Sequence, residues 1–254
     1  MIRMLMHGCN GAMGQVIAQI AEQDKDIEIT AGVDINTQKR NSFPVYASLE
    51  EVKEEVDVII DFASAKAVDG LLDFCRKRKV PVVLCTTGLS GEQLEAVEVA
   101  AEETAVLRSA NMSLGVNLLF TLVAEAAKVL AASGFDMEIV EKHHNQKRDA
   151  PSGTALALAD AINEAMENTY HYTYDRSQRR EKRDAKEIGI SAVRGGSIVG
   201  EHDVIFAGKD EVVTISHTAY SKAIFAKGAV AAAKFLAGKG AGRYTMADVI
   251  SQAD

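Results

Sequence analysis

Two adjacent histidines and a nearby lysine, His143, His144 and Lys147, stand in the segment of the chain that is richest in groups able to do chemistry. A histidine side chain ordinarily titrates near neutral pH, so it can deliver or accept a proton there, and the lysine adds a cationic site. The seven residues 142–148 hold two histidines, two lysines and an arginine. A polar loop before a helix does not require this density, which indicates a site for proton transfer on an acidic ligand.

The same segment continues into the predicted start of a helix. Ser152 has the side chain of a helix N-cap, which leaves the N–H groups of Gly153 and Thr154 at the helix start for a carboxylate. A proton donor beside carboxylate-binding groups is what the reduction of an imine or enamine acid needs. Adjacent histidines can instead bind a metal, but no cysteine or carboxylate stands at ligand spacing beside them, so we expect no metal site. The simplest alternative is a capped helix preceded by a polar loop.

Near the N terminus, Gly8, Gly11 and Gly14 follow the spacing G-x-x-G-x-x-G between a predicted strand and a predicted helix. This is a variant of the dinucleotide fingerprint, in which glycines permit a tight turn and the helix N terminus meets a pyrophosphate. Asp34 lies 20 residues after Gly14, at the end of a second predicted strand, where an acid can accept hydrogen bonds from ribose hydroxyls. The pattern favours a dinucleotide site over a glycine turn followed by an unrelated acid.

The elements that must position these groups follow two patterns along the chain. Up to residue 113, short apolar strands alternate with helices, which is typical of a parallel sheet covered on both faces. Beyond it, a long helix, a strand and a second helix precede three β-rich runs at 188–193, 198–206 and 211–217, which predict an open, mostly antiparallel sheet with a hairpin turn at 208–210. The predicted fold class is therefore α/β, a Rossmann-like parallel-sheet domain plus an α+β domain with an open mixed sheet. The predicted domains are 1–113 with 222–254, and 114–221.

Composition narrows the class of protein. The 254 residues allow one large or two modest domains, and the 36 acidic against 28 basic residues argue against a nucleic-acid binder. Three cysteines without regular spacing indicate a reduced, cytoplasmic protein. The apolar run 115–132 comes nearest to a membrane span, but polar and charged residues interrupt it, so we expect no membrane partner. The basic stretch within 168–187 is interpreted as a flexible loop or a solvated face.

On these residues the chain resembles the 4-hydroxy-tetrahydrodipicolinate reductase family, also called dihydrodipicolinate reductase, of bacterial lysine and diaminopimelate synthesis. The family pattern E-x-H-H-x-x-K-x-D-x-P-S-G-T-A is met over 141–155, and 194–202 resembles the second signature of the family. The glycine loop and the Thr-Thr-Gly and Ala-Asn loops also fall where the family has them, so the similarity covers nearly the whole chain.

The resemblance implies an NAD(P)H-dependent oxidoreductase that reduces 4-hydroxy-tetrahydrodipicolinate to tetrahydrodipicolinate. It implies that the first domain binds the cofactor, while the second binds the small dicarboxylate substrate and assembles a homotetramer through its sheet. His143 would be the proton donor or acceptor, and Lys147 a second proton donor that also holds substrate. His144, Gly153 and Thr154 would bind the dicarboxylate. The cofactor-binding residues would be Gly8, Cys9, Asn10, Gly11, Ala12, Met13, Asp34, Cys85, Thr86, Thr87, Ser109, Ala110, Asn111 and Met112.

The choice between the two nicotinamide cofactors is predicted from one charge. Asp34 would repel the 2′-phosphate of NADPH, and the next residue, Ile35, supplies no compensating cation. We therefore expect NADH to be preferred and NADPH to be possible, since Lys39 and Arg40 are close in sequence.

Two other functions fit parts of the pattern. A different NAD-dependent amino-acid dehydrogenase on the same fold would share the first domain but need not keep Lys147 together with Gly153 and Thr154. A non-catalytic NAD(H)-sensing protein would need the glycine loop but not the histidine–lysine pair. Turnover of reduced nicotinamide with the reductase substrate separates these functions.

Overall fold

A computed structural model describes residues 1–38, 41–109 and 111–252, which form two compact units. Unit 1 comprises Met1–Ser113 and Ala223–Asp254, and unit 2 comprises Leu114–Lys222. In chain order the strands are β1 (Ile2–His7), β2 (Ile27–Val33), β3 (Val45–Tyr46), β4 (Val58–Asp61), β5 (Val82–Leu84), β6 (Ala105–Leu107), β7 (Asp136–His143), β8 (His171–Thr173), β9 (Glu187–Arg194), β10 (Gly200–Ala207), β11 (Val212–Ala219) and β12 (Gly242–Tyr244). The α-helices are α1 (Ala12–Glu22), α2 (Val68–Arg78), α3 (Gly91–Ala101), α4 (Leu114–Leu130), α5 (Gly153–Ala165), α6 (Ala223–Leu236) and α7 (Met246–Ser251).

Unit 1 is built on a parallel sheet of seven strands in the order β12-β6-β5-β4-β1-β2-β3. Successive side chains of a strand point to opposite faces, so the apolar run of β1 supplies two cores. Met4 and Met6 join one core with α1 and α6, while Leu5 joins the other with α2 and α3. The sheet is thus covered on both faces, and the predicted Rossmann-like architecture is confirmed.

The last part of the chain returns to unit 1. α6 is rich in alanine, and its small side chains let it lie close to the backbone of the 112–113 segment. At Gly228 a Cβ atom would lie 1.7 Å from the carbonyl oxygen of Met112, so only glycine fits there. β12 then pairs with β6 as an edge strand.

Unit 2 contains a five-stranded sheet in the order β11-β10-β7-β9-β8. β10 is antiparallel to β7 and β11, whereas β9 is parallel to both β7 and β8. The predicted mixed sheet is confirmed, and the expectation that it is mostly antiparallel is wrong, because the connection through α5 brings β9 back parallel to β7. α4 and α5 bury one face of the sheet through side chains such as Leu119, Val123 and Leu158.

Most of the basic segment after α5 is exposed, as a solvated face would be, but two of its arginines are held by acids of the sheet. Arg176 donates to both carboxylate oxygens of Glu138, at 2.7 and 3.1 Å, and also binds the fully buried Glu187. Arg183 donates from Nε to Glu138 at 3.0 Å. Glu138 lies on β7, 38 or more residues before these arginines, so the local excess of cations does not reveal this pairing.

The described residues contain one helical stretch, Leu114–Ser133, that is long and apolar enough to cross a membrane, although the sequence predicts no such run. Its interruptions by polar residues are too few to exclude it by composition. The core helix of a globular unit passes the same test, and Leu119, Val123 and Ala127 of this helix are buried in the core of unit 2. A single helix of this kind is therefore weak support for a membrane span.

Candidate active site

The first of the two predicted histidines, His143, is held by a buried carboxylate on its own strand. Residues two apart on a strand share a face, so Glu141 and His143 of β7 point the same way. His143 Nδ1 lies 2.6 Å from Glu141 Oε2, and the glutamate is fully buried. An ionised carboxylate only accepts hydrogen bonds, so Nδ1 carries the hydrogen and Nε2 is the nitrogen left to exchange a proton.

Three further donors converge on the same carboxylate. Arg194 of β9 donates from Nη1 to Oε2 and from Nη2 to Oε1, each at 2.7 Å, and the Ser152 amide donates to Oε1 at 2.9 Å. Burial raises the pKa of Glu141, but the hydrogen bonds from Arg194, His143 and Ser152 outweigh it and bring that pKa below its usual value. The glutamate is therefore ionised beside the ring at neutral pH.

The far side of the His143 ring meets a glycine and a second histidine. A Cβ atom built on Gly200 of β10 would lie 3.1 Å from His143 Nε2, so the missing side chain leaves room at that nitrogen. The His202 ring packs edge-on to the His143 ring, with centroids 5.2 Å apart. Burial, with a smaller contribution from the nearby His143, lowers the pKa of His202 to about 4, so this second ring is neutral at pH 7.

The predicted cap of α5 is present. Ser152 Oγ accepts from the Ala155 amide at 3.2 Å and lies 3.0 Å from His202 Nε2. Gly153, exposed, and Thr154, half-buried, follow in the first turn, where N–H groups point out of the helix. Because the Ser152 amide also binds Glu141, His143 and the helix start share one anchor.

The two remaining predicted groups of unit 2 lie in the turn between β7 and α5. Lys147 Nζ forms an ion pair with Asp149 at 2.9 Å, which lowers the pKa of Asp149. His144 is half-buried next to His143. The turn is fastened to the end of β9, because Arg194 Nη2 donates to the Asp149 carbonyl oxygen at 2.7 Å.

In unit 1 the glycine loop packs so closely against other backbone that two of its glycines have no room for a side chain. Gly8 has φ +82°, and a Cβ there would lie 2.7 Å from the Phe62 carbonyl oxygen. At Gly14 a Cβ would lie 2.3 Å from the Gly8 carbonyl oxygen. Gly11 precedes α1 and gives no side-chain cap, so the first-turn amides of Ala12 and Met13 are left for a ligand. These residues fit a dinucleotide pyrophosphate.

A cavity of about 510 Å³ opens beside this loop. Its walls include Asp34, the loop 47–50 and the turn after β4 at 62–64. Asp34 accepts hydrogen bonds from the Asn10 and Asn36 amides, each at 2.9 Å, so it also fixes the glycine loop. Ile35 is fully exposed beside it. Lys39 and Arg40 lie outside the described residues.

The other predicted cofactor residues differ in what they can offer to a ligand. Cys9 and Met112 are buried in the core of unit 1, so they can offer only backbone atoms to a ligand. Cys85 and Thr87 are at least partly accessible at the end of β5, and between them Thr86 Oγ1 is buried with no hydrogen-bond partner in the described chain. An unpaired buried hydroxyl at the end of a parallel strand fits a polar group of a bound ligand.

Two polar side chains of the loop after β6 already accept hydrogen bonds from backbone amides of the protein. Ser109 Oγ accepts from the Met246 amide at 2.7 Å, and Asn111 Oδ1 accepts from the Ser113 amide at 2.8 Å. Ala110 lies outside the described residues. Within 1–38, 41–109 and 111–252, no group of three or more His, Cys, Asp and Glu residues is placed to hold a metal ion.

Glu141, Arg194 and Gly200 were not predicted as functional residues. Each lies inside a family signature, but the contacts of Arg194 with Glu141 and of Gly200 with His143 join positions 53 or more residues apart. The one local signal was an acid two residues before a histidine on a predicted strand.

Comparisons with known proteins extend over both units. Two family models match, dihydrodipicolinate reductase, N-terminus, over residues 2–112 and dihydrodipicolinate reductase, C-terminus, over 115–250. A 4-hydroxy-tetrahydrodipicolinate reductase from Caldanaerobacter subterraneus subsp. tengcongensis is 57% identical, with 99% of each chain covered. The protein of that name from Clostridium tetani is 46% identical, with 97% of this chain and 96% of its own covered. The dipicolinate-bound dihydrodipicolinate reductase from Paenisporosarcina sp. TG-14 has a TM-score of 0.80 at 26% identity, with 96% of this chain and 97% of its own covered.

These matches confirm the family resemblance that the glycine loop and the 141–155 segment indicate. They extend it over nearly the whole length of the chain. The chain belongs to the dihydrodipicolinate reductase family, NAD(P)H-dependent oxidoreductases of lysine and diaminopimelate biosynthesis.

Proposed function

We propose that this protein reduces 4-hydroxy-tetrahydrodipicolinate to tetrahydrodipicolinate in the cytoplasm, with NADH preferred over NADPH. The observation that carries the proposal is the His143–Glu141 pair, which shares its anchor with the start of α5. The dipicolinate bound by the Paenisporosarcina relative supports a small dicarboxylate as the ligand.

The chain would supply the proton and the charge that this reduction needs. The reduced nicotinamide, when bound, supplies a hydride, and the 4-hydroxyl group of the substrate leaves as water, so one hydride and one proton balance the product. His143 delivers a proton from Nε2 while Nδ1 keeps its hydrogen bond to Glu141. Lys147 exchanges Asp149 for a substrate carboxylate and assists proton transfer. His144 and the first-turn amides of Gly153 and Thr154 bind the substrate carboxylates.

The cofactor would be held in unit 1 by backbone more than by side chains. The loop Gly8–Met13 and the N terminus of α1 take the pyrophosphate, and Asp34 accepts from the ribose hydroxyls. Cys85, Thr86 and Thr87 with Ser109, Ala110, Asn111 and Met112 form the nicotinamide end. NADH is preferred because a 2′-phosphate would meet Asp34 and the uncharged Ile35.

A homotetramer assembled through the sheet of unit 2 is part of the same proposal. Along β10 the side chains alternate, and Glu201, Asp203 and Ile205 lie on the face opposite α4 and α5. This face also carries Lys142, which pairs with both acids at 3.0 and 3.1 Å. A half-exposed sheet face whose two acids share a lysine suits burial against another copy better than one with unpaired acids. Light scattering on the purified protein tests it, and a monomer at micromolar concentration would contradict it.

Turnover tests the activity. The substrate is generated in place from pyruvate and aspartate semialdehyde, and consumption of NADH is followed. A positioned general acid contributes about 10²–10⁴-fold, so His143→Ala should lower kcat by roughly that factor while NADH binding is retained. Lys147→Ala should lower kcat and also raise the substrate KM, because a ground-state contact is lost.

Each alternative gives a different result. A wild-type protein that binds NADH but does not consume it with this substrate is a sensor. Turnover with an amino acid and NAD, but not with this substrate, would indicate an amino-acid dehydrogenase. A near-normal kcat in His143→Ala would leave His143 a structural residue.

A further inference from the structure

We propose that Glu141, clamped by Arg194, is the positioning residue that sets which nitrogen of His143 exchanges the proton and ties that nitrogen to the start of α5. This inference rests on the proposed function. Glu141 is fully buried, so it acts through His143 and through the Ser152 amide, without touching a substrate.

The carboxylate of Glu141 cannot turn. Its two oxygens together accept four hydrogen bonds, two from Arg194 and one each from His143 and Ser152. This uses all of the acceptor sites of an ionised carboxylate. Arg194 is fixed in turn by the Asp149 carbonyl oxygen. The orientation of the ring and the position of the helix start are therefore set by one group.

The charged and titratable groups that face His143 come from three strands. Glu141 lies on its own strand β7, Arg194 comes from β9, and the neutral His202 comes from β10. The carboxylate accepts from Nδ1, so it keeps the hydrogen on that nitrogen after Nε2 has delivered its own. With a neutral residue at 141, the arginine would stand uncompensated near the ring and disfavour its protonation.

The test compares Glu141→Gln, Glu141→Asp and the control Glu164→Gln, an exposed acid on α5. We measure kcat against pH and the KM for NADH. Glu141→Gln should lower kcat at pH 7.5 by about 10²-fold or more. It should also move the alkaline limb of the profile to lower pH by roughly 1 unit or more, because the opposite charge is lost. The KM for NADH should not change.

Glu141→Asp keeps the charge but shortens the side chain. It should restore the position of the alkaline limb while kcat recovers only in part, and Glu164→Gln should match the wild type in both. A Glu141→Gln profile with its limb at the wild-type pH would overturn the proposal even if kcat is low, because a merely structural role lowers kcat without moving the limb.

A measurement on the wild type keeps the proposal testable if Glu141→Gln does not fold. Nitrogen NMR of the His143 ring at alkaline pH should show the hydrogen on Nδ1, and hydrogen on Nε2 would overturn the inference. Failure of the proposed function is a separate outcome. It would appear as absent turnover in the wild type, whereas the NMR measurement tests the position of the hydrogen on His143 whether or not the wild type turns over.

Discussion

Replacing Gly200 by alanine should damage catalysis and leave the fold intact. A Cβ at position 200 would lie 3.1 Å from His143 Nε2 and 3.4 Å from Cδ2, whereas ordinary contacts begin at 3.4 Å. The ring must therefore give way by a few tenths of an ångström, and the methyl group covers the nitrogen that would deliver the proton. Since a misplacement of about 1 Å can lower a rate about 10²-fold, we expect kcat to fall roughly 10–100-fold in Gly200→Ala.

The free energy of unfolding should change little in Gly200→Ala. Replacing glycine by alanine at a compatible backbone stabilises a protein by about 0.4–1 kcal/mol through the unfolded state, which offsets the local contact. The matched control is Gly240→Ala, because position 240 is exposed and a Cβ there meets nothing within 4 Å. The assay is kcat with both substrates saturating, together with urea unfolding. A wild-type kcat in Gly200→Ala would refute the assignment of Nε2 as the exchanging nitrogen.

Four further predictions concern pH, the cofactor and metal. The pKa of His202 is about 4 in the folded protein against 6.5 in a free histidine, so the unfolded state takes up the proton first. The free energy of unfolding should therefore fall by about 3 kcal/mol between pH 6.5 and 4, and His202→Phe should remove this part of the decline in urea titrations at several pH values. Gly14→Ala should raise the KM for NADH and spare the substrate KM, and equal effects on both would contradict a cofactor cradle. Asp34→Ala should shift the kcat/KM ratio toward NADPH by about 10-fold or more, and an unchanged ratio would show that other residues govern the choice. Activity should survive a chelator, and loss that one divalent metal restores would overturn this.

The parts of the fold that local physics determines could be predicted from the sequence. The glycine spacing between a predicted strand and a predicted helix is typical of a strand–turn–helix, and α1 is found there, over Ala12–Glu22. β8 and β12 were not predicted, because each is a three-residue edge strand defined by its neighbour. The parallel pairing of β7 and β9 depends on the path of the chain between them, which no short window contains.

The candidate site divides in the same way. The histidines, Lys147 and the α5 cap are contiguous in sequence, so their types and spacing could be interpreted directly. The clamp on His143 could not, since Arg194 reaches Glu141 from 53 residues away. Residue types predict a proton donor, and the nitrogen proposed to exchange the proton follows from the contact of His143 Nδ1 with Glu141 on the same strand.

The return of the chain into unit 1 constrains how the protein is made on the ribosome. Unit 2 is continuous in sequence, so it can close its core as soon as Lys222 has emerged. The nucleotide-binding sheet cannot, because α6 supplies Ala226, Ala229 and Leu236 to one of its two cores and β12 completes its edge. A nascent chain therefore carries its first 113 residues incompletely packed throughout the synthesis of the inserted unit. The nucleotide-binding sheet is therefore begun first and completed last. A chain truncated within α6 should retain a folded unit 2 without binding NADH.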